Sequence, residues 1–240
     1  MDKIFLILAV WSGLMFFCPA SAHLPYLESD KKEVAVRDPA VSKAYYGWLS
    51  GQRAVYSIDS PKAFLLNLNL LAPQVENARL DFSLNIYKNG NLLEARNGAD
   101  AFWAVEYEPF AHDYYLKGPE YEATMAAGNY RIEVYNSGNS GNYVLAVGKA
   151  EDLSLGQFLR TLAVLPQVKE EFWGKPFWQA YNNFIGLAAF ILLVILLVAV
   201  YFIISSVKNY CLKIKLDNEY KNNRIKRRND RGGPFERQGL

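Results

Sequence analysis

The chain has 240 residues, with 26 Lys/Arg, 24 Asp/Glu and a net charge of +2. Residues 208–240 hold 10 of the basic residues and 4 of the acidic ones, so region 23–207 carries a net charge of −4. This distribution gives no indication of nucleic-acid binding by the folded region, which has room for one domain of roughly 150 residues.

The N-terminus has the pattern of a secretory signal. Met1-Asp2-Lys3 is followed by an apolar run over residues 4–18 and then by small residues at Ala20 and Ala22. A charged start, an apolar segment too short to span a bilayer and small residues at the end predict a signal peptide over residues 1–22, cleaved after Ala22. The alternative is that this segment stays attached as a membrane anchor.

The positions of the two cysteines and the lack of glycan acceptors bear on the type of organism that the protein comes from. Cys18 and Cys211 both lie outside the predicted folded domain, so a disulfide framework is excluded there. The sequence also has no Asn-x-Ser/Thr acceptor for glycans. An exported domain without either feature is typical of a prokaryotic protein.

Residues 23–149 have the pattern of short strands separated by turns. Leu66, Leu68 and Leu70 alternate with asparagines, and Gly and Pro signals such as Asn89-Gly90 divide the runs. The pattern predicts a mainly β fold, an antiparallel β-sandwich of jelly-roll-like form. The predicted strands are 44–49, 54–58, 63–71, 80–88, 101–107, 114–117, 121–125, 129–135 and 142–147.

Two stretches carry a resemblance to a known family. Ala127-Gly128-Asn129-Tyr130, followed by Ile132 and by the run 141–147, resembles the last two strands of the bacterial pre-peptidase C-terminal domain. The run 84–93 is similar to an earlier strand and turn of that family. The resemblance covers roughly residues 40–150. It implies a jelly-roll-like accessory module that serves adhesion, folding or substrate contact beside secreted enzymes.

An aromatic stretch within this domain is the predicted ligand site. Aromatic side chains are mixed with acidic ones over residues 102–115, where they are suited to stack on a sugar ring or grip a peptide. The alternative is that Phe102, Trp103 and Phe110 fill the sandwich core. The candidate ligand-binding residues are Trp103, Tyr107, His112, Asp113, Tyr114 and Tyr115.

Catalytic motifs are absent from the sequence. His23 and His112 are the only histidines, and there is neither a Gly-x-Ser-x-Gly elbow nor a His-rich metal set. We therefore expect no enzyme activity, no cofactor and no metal. Two alternatives stay open: a hydrolase in which His112 and Asp113 form half of a triad, and calcium binding at the turn 97–100.

Residues 150–180 are predicted to form an amphipathic helical stalk. Leu155, Phe158, Leu159, Leu162 and Leu165 recur at helical spacing, Ser154 suits the N-cap, and Pro166 lies near the expected end, before a further turn or two. This helix either lies on the membrane or packs on the sandwich or a partner, and we favour packing. Three aromatic residues that follow are predicted to lie at the membrane interface: Trp173, Trp178 and Tyr181.

The segment 181–207 is the predicted transmembrane helix. Residues 184–207 contain no charged side chain and correspond to about 36 Å of helix, which exceeds the roughly 30 Å of a hydrocarbon core. Residues 208–240 form a basic tail, which the positive-inside rule places in the cytoplasm. Its cluster Arg224, Lys226, Arg227 and Arg228 is either a lipid-binding site or a topology determinant ahead of a disordered end.

The sequence therefore predicts a single-pass protein of the cell membrane, with its N-terminus outside the cytoplasm and its C-terminus inside. The leading hypothesis is a non-catalytic binding module for a protein or polysaccharide, held at the lipid bilayer by its anchor. The alternative is a structural or assembly subunit of a membrane complex, acting through its juxtamembrane and transmembrane helices.

Overall fold

The computed structural model describes residues 23–28, 33–108, 112–150 and 154–230. The predicted signal peptide, with Cys18, lies outside these residues, as does the end of the basic tail. The chain divides into two compact units, Met1–Ala188 and Ala189–Leu240.

The first unit contains eleven strands among its described residues. They are β1 (Leu24–Leu27), β2 (Val34–Ala35), β3 (Lys43–Ser50), β4 (Ala54–Ser60), β5 (Phe64–Pro73), β6 (Ser83–Lys88), β7 (Asn91–Arg96), β8 (Ala104–Glu108), β9 (Asp113–Met125), β10 (Gly128–Tyr135) and β11 (Ser140–Val147).

The strands form two sheets that confirm the predicted β-sandwich. Sheet A has the order β1-β3-β11-β5-β9-β8, and sheet B has the order β2-β4-β10-β6-β7. Most neighbours are antiparallel, as predicted. The short strands β1 and β2 were not predicted, and each pairs in parallel with its neighbour, β3 and β4 respectively.

The core lies between the inner faces of the two sheets. Leu66, Leu68 and Leu70 of β5 are fully buried, which confirms the alternation seen in the sequence. Tyr56 of sheet B and Tyr143 of sheet A meet in this core, where their hydroxyls share a 2.8 Å hydrogen bond. That bond satisfies two polar groups that would otherwise be costly to bury.

Strands β9 and β7 also differ from the sequence prediction. The turn expected at Gly118-Pro119 is absent, because β9 runs unbroken through this position. The β5–β9 register shifts between Asn69 and Leu71, which marks a bulge in β9 at Pro119. Pro119 has no pairing partner on β5 there, so the N–H that proline lacks is not needed for the ladder. Strand β7 was not predicted; it follows an Asn89-Gly90 turn with positive φ at both residues, and most of its side chains are exposed.

Helix α1 (Leu155–Trp173) begins at the predicted N-cap and includes the turns expected after Pro166. The Ser154 hydroxyl accepts from the Gln157 N–H at 3.4 Å, and the helix stops at Gly174, which has φ of 61°. Pro166 lies inside it and does not end it. Proline lacks the N–H that would bond the Leu162 carbonyl, and the Tyr181 hydroxyl donates to that carbonyl instead, at 2.9 Å.

Helix α1 packs on the outer face of sheet A, which is the alternative that the sequence favoured. Its buried residues meet an apolar patch of β3, β5, β9 and β11. The residues of this interface are Val168, Phe172 and Trp173 on the helix and Ala44, Tyr46, Leu71, Tyr115, Val144 and Ala146 on the sheet.

A short 3-10 helix (Phe177–Tyr181) leads to helix α2 (Phe184–Asp230). The α2 segment Gly186–Arg227 is long and apolar enough to cross a membrane. The helix continues beyond the predicted span into the basic tail, because the backbone stays helical to Asp230. Residues 208–230 contain neither Gly nor Pro and are rich in good helix formers, so nothing local interrupts the helix.

Candidate functional site

A cleft of about 400 Å³ lies at the end of the β8–β9 hairpin, and we call it the hairpin cleft. It brings four of the six predicted ligand-binding residues together with four residues from the region of α1 and the 3-10 helix. Its lining residues are Tyr107, His112, Asp113, Tyr114, Lys169, Lys175, Gln179 and Asn182.

Aromatic rings form one side of the hairpin cleft. Tyr107 and Tyr114 are directly opposite each other on β8 and β9, their ring centroids are 5.1 Å apart, and they are 43% and 53% exposed. The Tyr107 hydroxyl is hydrogen-bonded to Nδ1 of His112 at 2.5 Å. These contacts hold two exposed aromatic rings in a fixed relation at the rim.

Charged groups form the other side. Asp113 is buried, and its two carboxylate oxygens accept from Lys169 of α1 and from Lys175 just beyond α1. Burial lowers the pKa of Lys169, and its ion pair with Asp113 acts in the opposite direction. Two lysines and one aspartate leave the cleft lining with one net positive charge.

Sequence reasoning missed the lysines of this cleft, although one signal was present. Lys169 falls on the same helical stripe as the apolar Leu165 and Phe172, where a buried cation requires a partner. The partner, Asp113, lies 56 residues earlier in the chain, so local sequence does not reveal the pair.

Trp103 and Tyr115 lie away from the hairpin cleft. Tyr115 is 2% exposed beneath α1, and its hydroxyl is hydrogen-bonded to that of Tyr46, so the prediction that it contacts a ligand is wrong. Trp103 is half-buried against the sandwich core and donates from Nε1 to the Gly98 carbonyl at 2.9 Å. The core-filling alternative fails for Phe102, which is 88% exposed, while Phe110 is outside the described residues.

Replacing Gly118 with alanine is expected to displace the Trp103 ring. A Cβ at position 118 would lie 2.6 Å from the Trp103 ring, so the ring must move and lose its bond to Gly98. We expect a destabilisation of about 1–3 kcal/mol and a red-shifted tryptophan emission. Gly156→Ala is the control, since a Cβ there meets open space; equal effects of the two substitutions would contradict this account.

The residues predicted for the membrane interface divide into two groups. Trp173 is 8% exposed and packs against Tyr46, Tyr115 and Phe172, so its ring faces sheet A and the prediction of a lipid contact is wrong for this residue. Trp178 and Tyr181 are exposed on the 3-10 helix. Their contact with lipid stays a prediction.

The basic cluster of the tail lies on the last turns of α2. Arg224, Lys226 and Arg227 are exposed there, and Arg228 continues the same helix. Their interaction with lipid stays a prediction.

The described residues contain no group of three or more His, Cys, Asp or Glu side chains that could hold a metal ion. At the turn considered for calcium, the Asn97 side chain donates to Asp100 and accepts from the Ala99 N–H. These contacts account for the turn's local geometry.

The fold and the cleft define a β-sandwich protein with one helix packed on a sheet and a second helix long and apolar enough to cross a membrane. No protein-family profile matches the chain, and no curated protein matches it.

The solved structures that are similar to part of the chain include the following two. One is the pre-peptidase C-terminal domain of a collagenase from Bacillus anthracis, with a TM-score of 0.29 and 12% identity over 55% of this chain and 96% of that one. The other is a β-glucosidase from Paenibacillus barengoltzii, with a TM-score of 0.23 and 12% identity over 54% of this chain and 14% of that one. TM-scores this low carry no functional information.

Proposed function

We propose that this protein is a membrane-anchored binding module that takes a protein or polysaccharide ligand outside the cytoplasm. The observation that carries the proposal is the hairpin cleft. Its volume of about 400 Å³ is in the range of ligand sites, and it combines exposed aromatic rings with a few polar groups. Tyrosines held in this way are common anchors of protein and sugar ligands.

The anchor in this proposal is α2. We infer that α2 crosses the cell membrane once, with the sandwich outside and the basic turns of Arg224–Arg228 in the cytoplasm. The concentration of positive charge beyond the apolar part of α2 supports this orientation. Trp178 and Tyr181 precede α2 by a few residues, where amphipathic rings suit the lipid headgroup region.

We further propose that the cleft performs no catalysis. A His–Asp pair acts as a base when the carboxylate orients the imidazole. Here both oxygens of Asp113 accept from lysines, and Nδ1 of His112 is bonded to the Tyr107 hydroxyl. The two side chains are therefore engaged in other contacts, which disfavours the hydrolase alternative.

Removing both rim tyrosines tests the binding function. The wild-type chain and the Tyr107→Ala, Tyr114→Ala double variant are each prepared at full length in nanodiscs. Binding of both to an array of purified bacterial polysaccharides and to purified cell-surface proteins is then measured. We expect about 100-fold weaker binding, since each tyrosine anchor contributes about 1.4 kcal/mol. Tyr210→Ala, which removes an exposed tyrosine from α2, is the control. Unchanged binding by the double variant, or no binding by wild type, would contradict the proposal.

The second candidate function is a structural or assembly subunit. None of the side chains in the most apolar part of α2 is buried, which suits partner helices as well as lipid. Removing residues 30–148 takes away the sheet on which α1 packs and leaves α2 intact. Partners that still co-purify in detergent with such a chain would favour this function over the first.

A further inference from the structure

Four exposed apolar side chains lie on α1 and the 3-10 helix, away from the interface with sheet A. Leu155 and Leu159 are 66% and 53% exposed, and Phe177 and Trp178 are 54% and 61% exposed. The Phe177 and Trp178 rings contact each other with centroids 5.8 Å apart. We call these four residues the juxtamembrane face.

The two parts of the juxtamembrane face are fixed to each other. The Tyr181 hydroxyl donates to the Leu162 carbonyl, one helical turn from Leu159. Ala180 of the 3-10 helix is buried against Leu165, and Phe158 and Leu162 pack on the same small core. The 3-10 helix is therefore a fixed extension of α1.

The chain length limits how far this face lies from the start of α2. Trp178 precedes Phe184 by six residues, which is at most about 20 Å even for fully extended chain. Because the Tyr181–Leu162 bond holds the 3-10 helix to α1, Leu159 is subject to nearly the same limit. A bilayer entered by α2 is therefore the nearest apolar phase for all four side chains.

We propose that the juxtamembrane face docks on the bilayer that α2 enters. Helix α1 then has two partners: sheet A on one side, through Val168 and Phe172, and the lipid headgroup region on the other, through Leu155 and Leu159. Trp178 belongs at the same depth, because its ring is apolar and its N–H is polar. The proposal rests on α2 crossing a membrane, and it does not depend on the ligand of the hairpin cleft.

A fluorescent label at position 159 tests the docking in the full chain. In a Cys18→Ser, Cys211→Ser background, Leu159→Cys is labelled with an environment-sensitive NBD group. The chain is reconstituted in phosphatidylcholine–phosphatidylglycerol vesicles with or without brominated acyl chains. We expect a blue-shifted emission and a loss of roughly half of it to brominated lipid, since a docked helix reaches about 5–10 Å into the interface.

Two matched positions control the measurement. Leu92 on β7 of sheet B is 56% exposed, close to the value for Leu159, and its label is expected to stay unquenched. Leu197 of α2 is 58% exposed, and its label is expected to be quenched. As a second readout without a label, Trp178→Phe is expected to remove part of the quenching of intrinsic tryptophan emission by brominated lipid.

The other possible outcomes contradict either the docking alone or the membrane anchor as well. A quenched label at 197 with an unquenched label at 159 overturns the docking and leaves the anchor intact. Labels unquenched at both positions overturn the anchor, and the docking with it. A blue shift at 159 without quenching overturns the docking in favour of a protein surface, such as a second copy of the chain, over this face.

Discussion

Replacing Asp113 with alanine is expected to destabilise the sandwich and its packed helix by about 3–5 kcal/mol. Asp113 is the carboxylate that pairs with Lys169, and the Lys169 side chain is only 2% exposed. Without it a buried ammonium group loses its counter-ion, which costs far more than the loss of a surface ion pair. Thermal unfolding of the full chain in nanodiscs, followed by near-ultraviolet circular dichroism, measures the change.

Two comparison variants make this prediction specific. Glu106→Ala removes the exposed Glu106–Lys117 pair on the neighbouring strand and is expected to cost less than about 1 kcal/mol. Asp113→Ala combined with Lys169→Met removes both buried charges and is expected to recover most of the stability. If Asp113→Ala were no more harmful than Glu106→Ala, Lys169 would not depend on its partner.

The same pair gives stability a pH dependence with a definite sign. Burial lowers the pKa of Lys169, so in the folded state this lysine releases its proton at a lower pH than in the unfolded chain. Between that lowered pKa and the ordinary value of about 10.4 the unfolded state binds more protons, and this group makes stability rise with pH. Asp113 raises the pKa of Lys169, so Asp113→Ala lowers that pKa further. The stability of the variant then rises more with pH than that of the wild type. The difference in unfolding free energy between the two is therefore expected to shrink from pH 7 to pH 10.

Features set by neighbouring residues were predictable from sequence. The alternation of Leu66, Leu68 and Leu70 is a property of one strand, and the uncharged run in α2 is a property of one helix, so each is visible locally. In the same way the aromatic rim of the cleft was found through Tyr107 and Tyr114, which lie on the two strands of one hairpin.

Features that depend on distant partners were not predictable. Strand β9 continues through Pro119 because β9 bulges there, with Gly118 and Pro119 opposite the single residue Leu70 of β5. Helix α1 continues through Pro166, and the Leu162 carbonyl that this proline leaves unbonded accepts from Tyr181. The cationic side of the cleft depends on Asp113 meeting Lys169 and Lys175 across more than 50 residues of chain. Local propensity contains no information about such contacts.

Replacing Phe172 with alanine is expected to weaken the attachment of α1 to sheet A by about 3–5 kcal/mol. Phe172 is 2% exposed, and its ring meets that of Tyr46 edge-on with centroids 5.1 Å apart. Truncation removes buried apolar surface and leaves a cavity between helix and sheet. Hydrogen exchange of the full chain in nanodiscs is expected to accelerate most in residues 155–173.

The pattern of this exchange tells whether α1 and the sandwich unfold together. Glu170→Ala, at an exposed position of the same helix outside the juxtamembrane face, is the control and is expected to change stability by no more than about 0.5 kcal/mol. Acceleration confined to residues 155–173 means that α1 detaches while the sheets stay folded, which also opens the hairpin cleft because Lys169 leaves Asp113. Equal acceleration in β5 and β11 means one cooperative unit, and no acceleration in α1 would contradict the role assigned to Phe172.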